Sequence, residues 1–563
     1  YNPALISKGG GIYERKAKSI ALSPEARARF GIAKEQVTPA ELIKTLLKAE
    51  SDLLWFGGIG TYIRSSLESD AEAGDRANDA IRITGGDVRA KVIGEGANLG
   101  MTQKARIEFN LLGGRCNSDA IDNSAGVNTS DVEVNIKIAL AQAMRGGKLK
   151  RDKRDKVLEA MTDEVSDLVL RNNYLQTLAL SLAQRRGLAD LAYQARFISD
   201  LETRKLLDRK VETLPDDKVL LEREVEGVPL TRAELGVLLA YAKIVLSDQL
   251  LASDLPDDPY LERELTDYFP SQMKQGFGKE LLGHRLRREI IATQLANDII
   301  NRGGPTFVSR LSDLTGQAGP EIVRAYVIVR DGFEVDALFA AIDGLDNLMP
   351  GDTQNGLYAK VAQMLNWTTA WVLRNHKSAD LRTAVEEIKG ARNALQPRLD
   401  KLLPLSMTSL IREDAASNAA LGAPQALAAQ LARLEIAPII PDIAAVAQQA
   451  GVDIADAAKA YFDISEAFRI GRIEDAARGV SVADYYDGLA LARATDLISQ
   501  ARRGIAVAAL TQHGKSTDPA RDWLAGRGVR VDAVRQRMAN IVETGDLTVS
   551  RLAVAAGLLS DLS

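Results

Sequence analysis

The sequence predicts an α/β segment of parallel-sheet type followed by a large all-helical region, so that the chain is mostly helical. Three observations carry this reading. The first 130 residues are rich in glycine and turns, and their short apolar runs end in glycine clusters. From Ser130 onward, long segments carry helical periodicity and β-branched runs become rare. The chain has 563 residues, whereas single hydrophobic cores stop growing near roughly 250–300. The expected organisation is therefore an α/β segment over 1–133, helices closing that segment over 134–200, and a helical domain over 201–563.

Each element follows from local chemistry. Thr38-Pro39-Ala40-Glu41 is a capping box with proline at the first helical position, and Leu42, Leu46 and Leu47 supply the apolar face. Residues 53–56 and 91–93 read as strands, each running into glycine. A helix is expected over 102–112, stopped by Gly113-Gly114. Strand–turn–helix alternation of this kind indicates a parallel sheet with crossover helices. Ser130 to Glu133 has the S-x-x-E form, so a helix is expected to start at Ser130. Thr231-Arg232-Ala233-Glu234 is another capping box, followed by Leu235, Leu238, Leu239 and Ala242. Leu282, Leu286 and Ile290 recur every four residues and predict one helix, ended by Gly303 and Pro305. Ile454, Ala458, Tyr461, Ile464 and Phe468 form a further stripe. Residues 221–229 read as a short hairpin or loop, and 214–217, 253–259 and 349–355 as linkers.

Composition removes several function classes. The net charge is −5 and the pI about 5.6, the wrong sign for a general nucleic-acid binder. One cysteine and three scattered histidines cannot form the common zinc sites, so no metal is expected. No apolar run approaches the 18 residues of a membrane span. A chain with a single cysteine suits a reducing cytoplasm. The start at Tyr1 rather than Met leads to the expectation that further sequence precedes it. The basic run from Arg145 to Arg154 reads as an exposed interhelical turn, and His284 with Arg285, Arg287 and Arg288 as an ion-paired helix face. Trp367 and Trp371 read as core, and Cys116 as a buried, inert thiol.

Three glycine clusters remain: Gly9-Gly10-Gly11, Gly57-Gly58-Ile59-Gly60, and Gly94-Glu95-Gly96-Ala97-Asn98-Leu99-Gly100. The last, G-x-G-x-x-x-G, is one residue longer than the usual dinucleotide fingerprint. Both a structural turn and close approach to a cofactor are open for these clusters, although ligands of open α/β sheets do sit beyond the carboxyl ends of strands. Asn123 and Asn128 lie in a polar segment before Ser130, where turn chemistry and ligand contact are equally open. If Ser130 opens a helix, its free N–H groups would suit an anion.

At these residues the sequence resembles the glutamate dehydrogenases. Glu95-Gly96-Ala97-Asn98 resembles their E-G-A-N strand end, and Asn123-Ser124-Ala125-Gly126-Val127 with Ser130 is similar to their N-A-G-G-V-x-x-S segment. The strings from Asp52 to Tyr62, Gly74 to Asp79, Ile6 to Gly11 and Asp119 to Ser124 resemble the large NAD-specific branch, as does the long helical tail. Ser124-Ala125 stands where smaller members carry Ala-Gly, which keeps a small residue in place. The resemblance implies that residues 1–133 are the C-terminal part of a Rossmann-like nicotinamide-binding domain. It implies Asn98 at the nicotinamide end of NAD, Asn123 beside the nicotinamide ribose, and Gly57, Gly58 and Gly96 along the cofactor. Ser130 would donate to the side-chain carboxylate of L-glutamate. The implied reaction yields 2-oxoglutarate, ammonia and NADH in a homo-oligomer. The family's catalytic lysines and aspartate match nothing here, so no catalytic residue is assigned and the chain alone is expected to be inactive. The alternative is a helical scaffold or oligomerisation module without catalysis.

Overall fold

Short apolar runs followed by glycine fold as strands where the sequence places them. β1 (Ile20–Ala21) pairs antiparallel with β2 (Gln36–Val37), and α1 (Pro24–Phe30) lies between them in sequence. α2 (Pro39–Leu47) starts with the expected capping box: Glu41 N–H donates to Thr38 Oγ1 at 3.2 Å and Thr38 N–H to the Glu41 carboxylate at 2.8 Å. Its inward face is Leu47 with Ile43, while Leu46 stays exposed. β3 (Ser51–Phe56) is followed by β4 (Ile63–Arg64), β5 (Ile83–Thr84) and β6 (Ala90–Glu95). β3 runs parallel to β6, with Leu53 opposite Val92 and Phe56 opposite Glu95, and β4 runs parallel to β5. α3 (Gln103–Leu111) is capped by Thr102, whose Oγ1 accepts the Ala105 N–H at 3.1 Å. Ile63, Ile83, Ile93, Met101, Phe109 and Cys116 close one apolar cluster beneath these elements.

The computed structural model describes residues 2–376, 380–482, 484–543 and 545–563. Among them every sheet has two strands, so these sheets do not establish a Rossmann-like domain. The chain divides into one compact unit of Tyr1–Ser247 with Glu262–Pro305 and another of Asp248–Leu261 with Thr306–Ser563. That division differs from the expected ranges 1–133, 134–200 and 201–563.

The first unit continues with α4 (Asp119–Asp122), α5 (Ser124–Arg145), α6 (Arg151–Glu159), α7 (Thr162–Arg186), α8 (Leu191–Thr203), α9 (Asp217–Glu226) and α10 (Arg232–Leu251). Four expectations need correction here. Ser130 does not open a helix: α5 begins six residues earlier, at Ser124. The polar residues there are satisfied without a turn, since Thr129 Oγ1 donates back to Ala125 O at 2.8 Å within α5 and Asn128 Oδ1 accepts from Asn172 of α7 at 2.8 Å. Residues 217–226 form α9, not a hairpin, because Asp216 caps the start and left-handed Gly227 ends it. The stripe through Leu282, Leu286 and Ile290 is broken between α12 (Ser271–Leu282) and α13 (Arg287–Gly303), which follow the short α11 (Glu262–Asp267). The break is held by His284: Nε2–H donates to Asn135 O at 3.1 Å, and Nδ1 accepts Leu286 N–H at 3.1 Å. His284 is therefore buried, not part of an exposed basic face.

Every regular element among the described residues of the second unit is a helix. The helix Gly319–Gly332 packs on Gly351–Asn375 and Leu381–Leu395, and a Cβ at Gly332 would stand 2.6 Å from Ile388. The expected linker at 349–355 is mostly the first turn of Gly351–Asn375. Further along, Tyr485–His513 packs against Ile439–Ala450, Ile454–Ala467, Pro519–Glu543 and Val549–Ser560 around Phe468, Ile498, Ile505 and Trp523. Trp367 and Trp371 are half-buried, and Trp371 Nε1–H donates to the buried Asp442 carboxylate. No helix among the described residues is long and apolar enough to cross a membrane, and no described His, Cys, Asp and Glu side chains group as a metal ion requires.

Candidate functional site

The carboxyl ends of β3 and β6 lie side by side, because Phe56 pairs with Glu95. Gly57-Gly58 therefore leaves the strand end next to Gly96, with Asn98 two residues further along that turn. Gly57 and Gly58 are exposed, and a Cβ on Gly58 would meet nothing within 4 Å. Gly96 differs: a Cβ there would stand 2.4 Å from the Trp55 ring, and one on Gly94 would stand 2.6 Å from it. The close approach that these glycines permit is thus made by Trp55, an exposed side chain lying across the strand end.

The turn after β6 is braced by three carboxylates. Glu95, fully buried, accepts Arg106 Nε at 2.7 Å, Arg106 Nη2 at 2.9 Å and the Met101 N–H at 3.2 Å. Burial pushes the Glu95 carboxyl above its ordinary range, and the Arg106 guanidinium opposes that shift. Asp119 accepts the N–H of Leu99, whose backbone is left-handed at φ 59°, and lies 3.3 Å from Arg106. Asp122 accepts the Glu95 N–H at 3.0 Å through one oxygen and Asn117 Nδ2–H at 2.7 Å through the other. Sequence reasoning missed this bracing set. Its signal was the two acidic residues just before Asn123, which read only as part of a motif.

Of the six residues expected to form the site, two touch. Asn123 Nδ2–H donates to Asn98 Oδ1 at 2.6 Å, joining the strand-end turn to the start of α5. Asn98 is exposed and carries two Nδ2–H donors, while Asn123 is half-buried and its backbone oxygen accepts the Gly126 N–H at 3.2 Å. Asn173 of α7 fixes the same corner by donating to Ile121 O at 2.8 Å and Ser124 Oγ at 2.9 Å. Ser130 lies seven residues along α5 from Asn123, roughly 10 Å by helical rise, on an exposed face with Val127 and Val134. A cavity of about 540 Å³ opens between α5, α6 and α7, lined by Gly126, Thr129, Glu133 and Val165 among others, and none of the six residues lines it. Cys116 is buried beside Arg106, with its thiol pushed up to about 12 by desolvation.

Comparison with known proteins gives the chain a family. A family described as bacterial NAD-glutamate dehydrogenase, catalytic domain, matches residues 1–183, and one described as glutamate dehydrogenase, C-terminal, matches 227–561. The NAD-specific glutamate dehydrogenase of Pseudomonas aeruginosa is 41% identical over 567 aligned positions, covering 100% of this chain and 35% of that protein. The protein of the same description from Halomonas elongata is 45% identical over 403 positions, 72% of this chain and 25% of its own length. A third, from Mycobacterium tuberculosis, is 35% identical over 567 positions, 99% of this chain and 35% of its own. The chain thus spans about a third or less of the length of these relatives. With both family regions matched in order along it, the chain belongs to the bacterial NAD-specific glutamate dehydrogenase family.

Proposed function

We propose that this chain is part of an enzyme that oxidises L-glutamate with NAD and water to 2-oxoglutarate, ammonia and NADH, and that it supplies the nicotinamide side of the site. The observation that carries the reading is the Asn123–Asn98 hydrogen bond at the carboxyl ends of β3 and β6. The residues suit the cofactor. Open space at Gly58 admits a ligand over the strand end, and Asn98 keeps amide donors that match a carboxamide. NAD, when bound, accepts the hydride from the glutamate Cα. In this reading Asn98 donates to the nicotinamide amide, and Asn123 holds Asn98 in place while lying beside the ribose. Gly57 and Gly58 let the ligand approach the backbone, and Gly96 keeps the turn closed under Trp55. Ser130 Oγ–H donates to the side-chain carboxylate of glutamate. No residue of this chain is given a proton-transfer role, so the 563 residues alone form no NADH from glutamate.

The test is Asn98→Ala in the intact enzyme. Loss of a hydrogen bond of about 1.5 kcal/mol raises KM for NAD roughly tenfold while KM for glutamate moves little. An unchanged KM for NAD overturns the assignment of this corner.

A further inference from the structure

The first helix of the C-terminal family region reaches back into this corner. Arg232, the first residue of α10, is half-buried and forms no ion pair among the described residues. Its guanidinium is instead shared among neutral acceptors: Nε–H to Asn117 Oδ1 at 2.9 Å, Nη1–H to Ser181 Oγ at 3.1 Å and Gln184 Oε1 at 3.2 Å, and Nη2–H to Thr177 O at 3.4 Å. A desolvated arginine with no carboxylate in contact, favoured only through space by the charge of Asp122, is costly unless its fork fixes something. What it fixes is Asn117, whose own amide donates to Asp122. Asp122 in turn accepts the Glu95 N–H at the strand end and directly precedes Asn123.

Independent contacts press the same helix start against the same corner. The Ala233 N–H donates to Asn110 Oδ1 at 3.3 Å, and Ala233 O accepts Gln103 Nε2–H at 3.1 Å. One turn on, a Cβ at Gly236 would stand 3.6 Å from Ser118 Oγ and 3.7 Å from Ile121, so α10 lies close along α4. The segment from Asn117 to Asn123 is thus gripped by the start of α10 as well as by the turn that carries Asn98.

We infer that Arg232 is a positioning residue for the nicotinamide side of the site, acting through Asn117 and Asp122 on the Asn123–Asn98 pair. The inference rests on the proposed function of that pair. It gives the helical region a part in the chemistry: α10 sets the angle at which Asn123 meets Asn98. Because the fork makes several bonds at once, lysine cannot replace it.

The experiment is a kinetic cycle in the intact enzyme with Arg232→Met, Asn117→Leu and their combination, and with Arg232→Lys as a milder variant. Each single change should raise KM for NAD about fivefold or more, with KM for glutamate at saturating NAD changed far less. The combination should be no worse than the poorer single change, because both act through Asp122. Arg209→Met, which removes a buried arginine paired with Glu202 and Asp217, should leave KM for NAD unchanged. If Arg232→Met fails to fold, Arg232→Lys and Asn117→Leu carry the test. Singles that leave KM for NAD within about twofold, or effects that multiply in the combination, overturn the inference. Intact wild-type protein that forms no NADH from glutamate overturns the proposed function and this inference with it. Active wild type with insensitive variants overturns this inference alone.

Discussion

Cys116 and Ser130 show how far a single residue's surroundings decide its chemistry. The reactive form of a thiol is the thiolate, and desolvation lifts Cys116 to about 12 despite the nearby Arg106. At pH 8 the folded chain should therefore resist iodoacetamide, with Cys116 modified only after denaturant is added. Modification of the folded chain at the rate of a free thiol, read by intact mass, would contradict this burial. Ser130 is the opposite case, an exposed hydroxyl whose expected support has gone. Its backbone N–H lies inside α5, so no helix terminus assists a bound carboxylate and only the hydroxyl remains as donor. In the intact enzyme Ser130→Ala should raise KM for glutamate by no more than roughly tenfold, about 1.5 kcal/mol, with KM for NAD unaffected. Unchanged glutamate saturation would remove Ser130 from the substrate site. The sequence could not distinguish these outcomes, because S-x-x-E occurs inside helices as readily as at their starts when neighbouring polar groups find partners across the helix.

At the scale of elements, β3, β6 and the caps at Thr38 and Thr231 were legible, whereas the two-residue strands, the Asp216 cap of α9 and the breaks were not. β3, β6 and α3 follow from runs bounded by glycine and from a threonine cap, all local in sequence. The stop at 283–286 is set by a partner 149 positions away, His284 against Asn135, which no local pattern contains. That contact makes a pH prediction. Burial depresses the His284 pKa, outweighing the hydrogen bond to Asn135 and the field of Glu289, while Arg285 adds to the depression. With the folded value below the ordinary one of about 6.5, the stability from neutral His284 is full above that pH and is lost as pH falls below it. Replacing His284 by Gln should flatten the fall in melting temperature between about pH 7.5 and 5.5. A fall as steep as wild type would remove His284 as its source. The bracing turn at 95–101 depends equally on long-range partners. Glu95→Ala leaves Arg106 buried with Asp119 as its remaining ion-pair partner and Gln103 as a neutral acceptor, and should destabilise the fold by about 3 kcal/mol, read as a lower midpoint in urea.

Across the whole molecule the helical majority is plain in the texture of the sequence, and the side-chain contacts of the candidate site are not. The helical majority follows from periodicity, whereas the hydrogen bond between Asn98 and Asn123 was not read from the sequence, which marked the two residues separately through a family resemblance. Arg232 and Asp442 could not be read that way, because a charged residue inside a helical stripe looks the same whether it faces solvent or a buried acceptor. Asp442 is the central case in the second unit. Its carboxylate, 1% exposed, accepts Tyr461 Oη–H at 2.8 Å and Ser499 Oγ–H at 2.7 Å, and also takes Trp371 Nε1–H and Arg503 Nη1–H. Four donors from the helices Gly351–Asn375, Ile454–Ala467 and Tyr485–His513 converge on one side chain of Ile439–Ala450. Removing it strands a guanidinium and three neutral donors, at a cost of about 3–5 kcal/mol by analogy with other broken buried pairs. Asp442→Ala should therefore raise amide exchange together across those four helices. Asp442→Asn keeps an acceptor and the shape but loses the charge, and should lie between that variant and wild type. If exchange rises only in Ile439–Ala450, the carboxylate is a local contact and not the joint that holds the four helices.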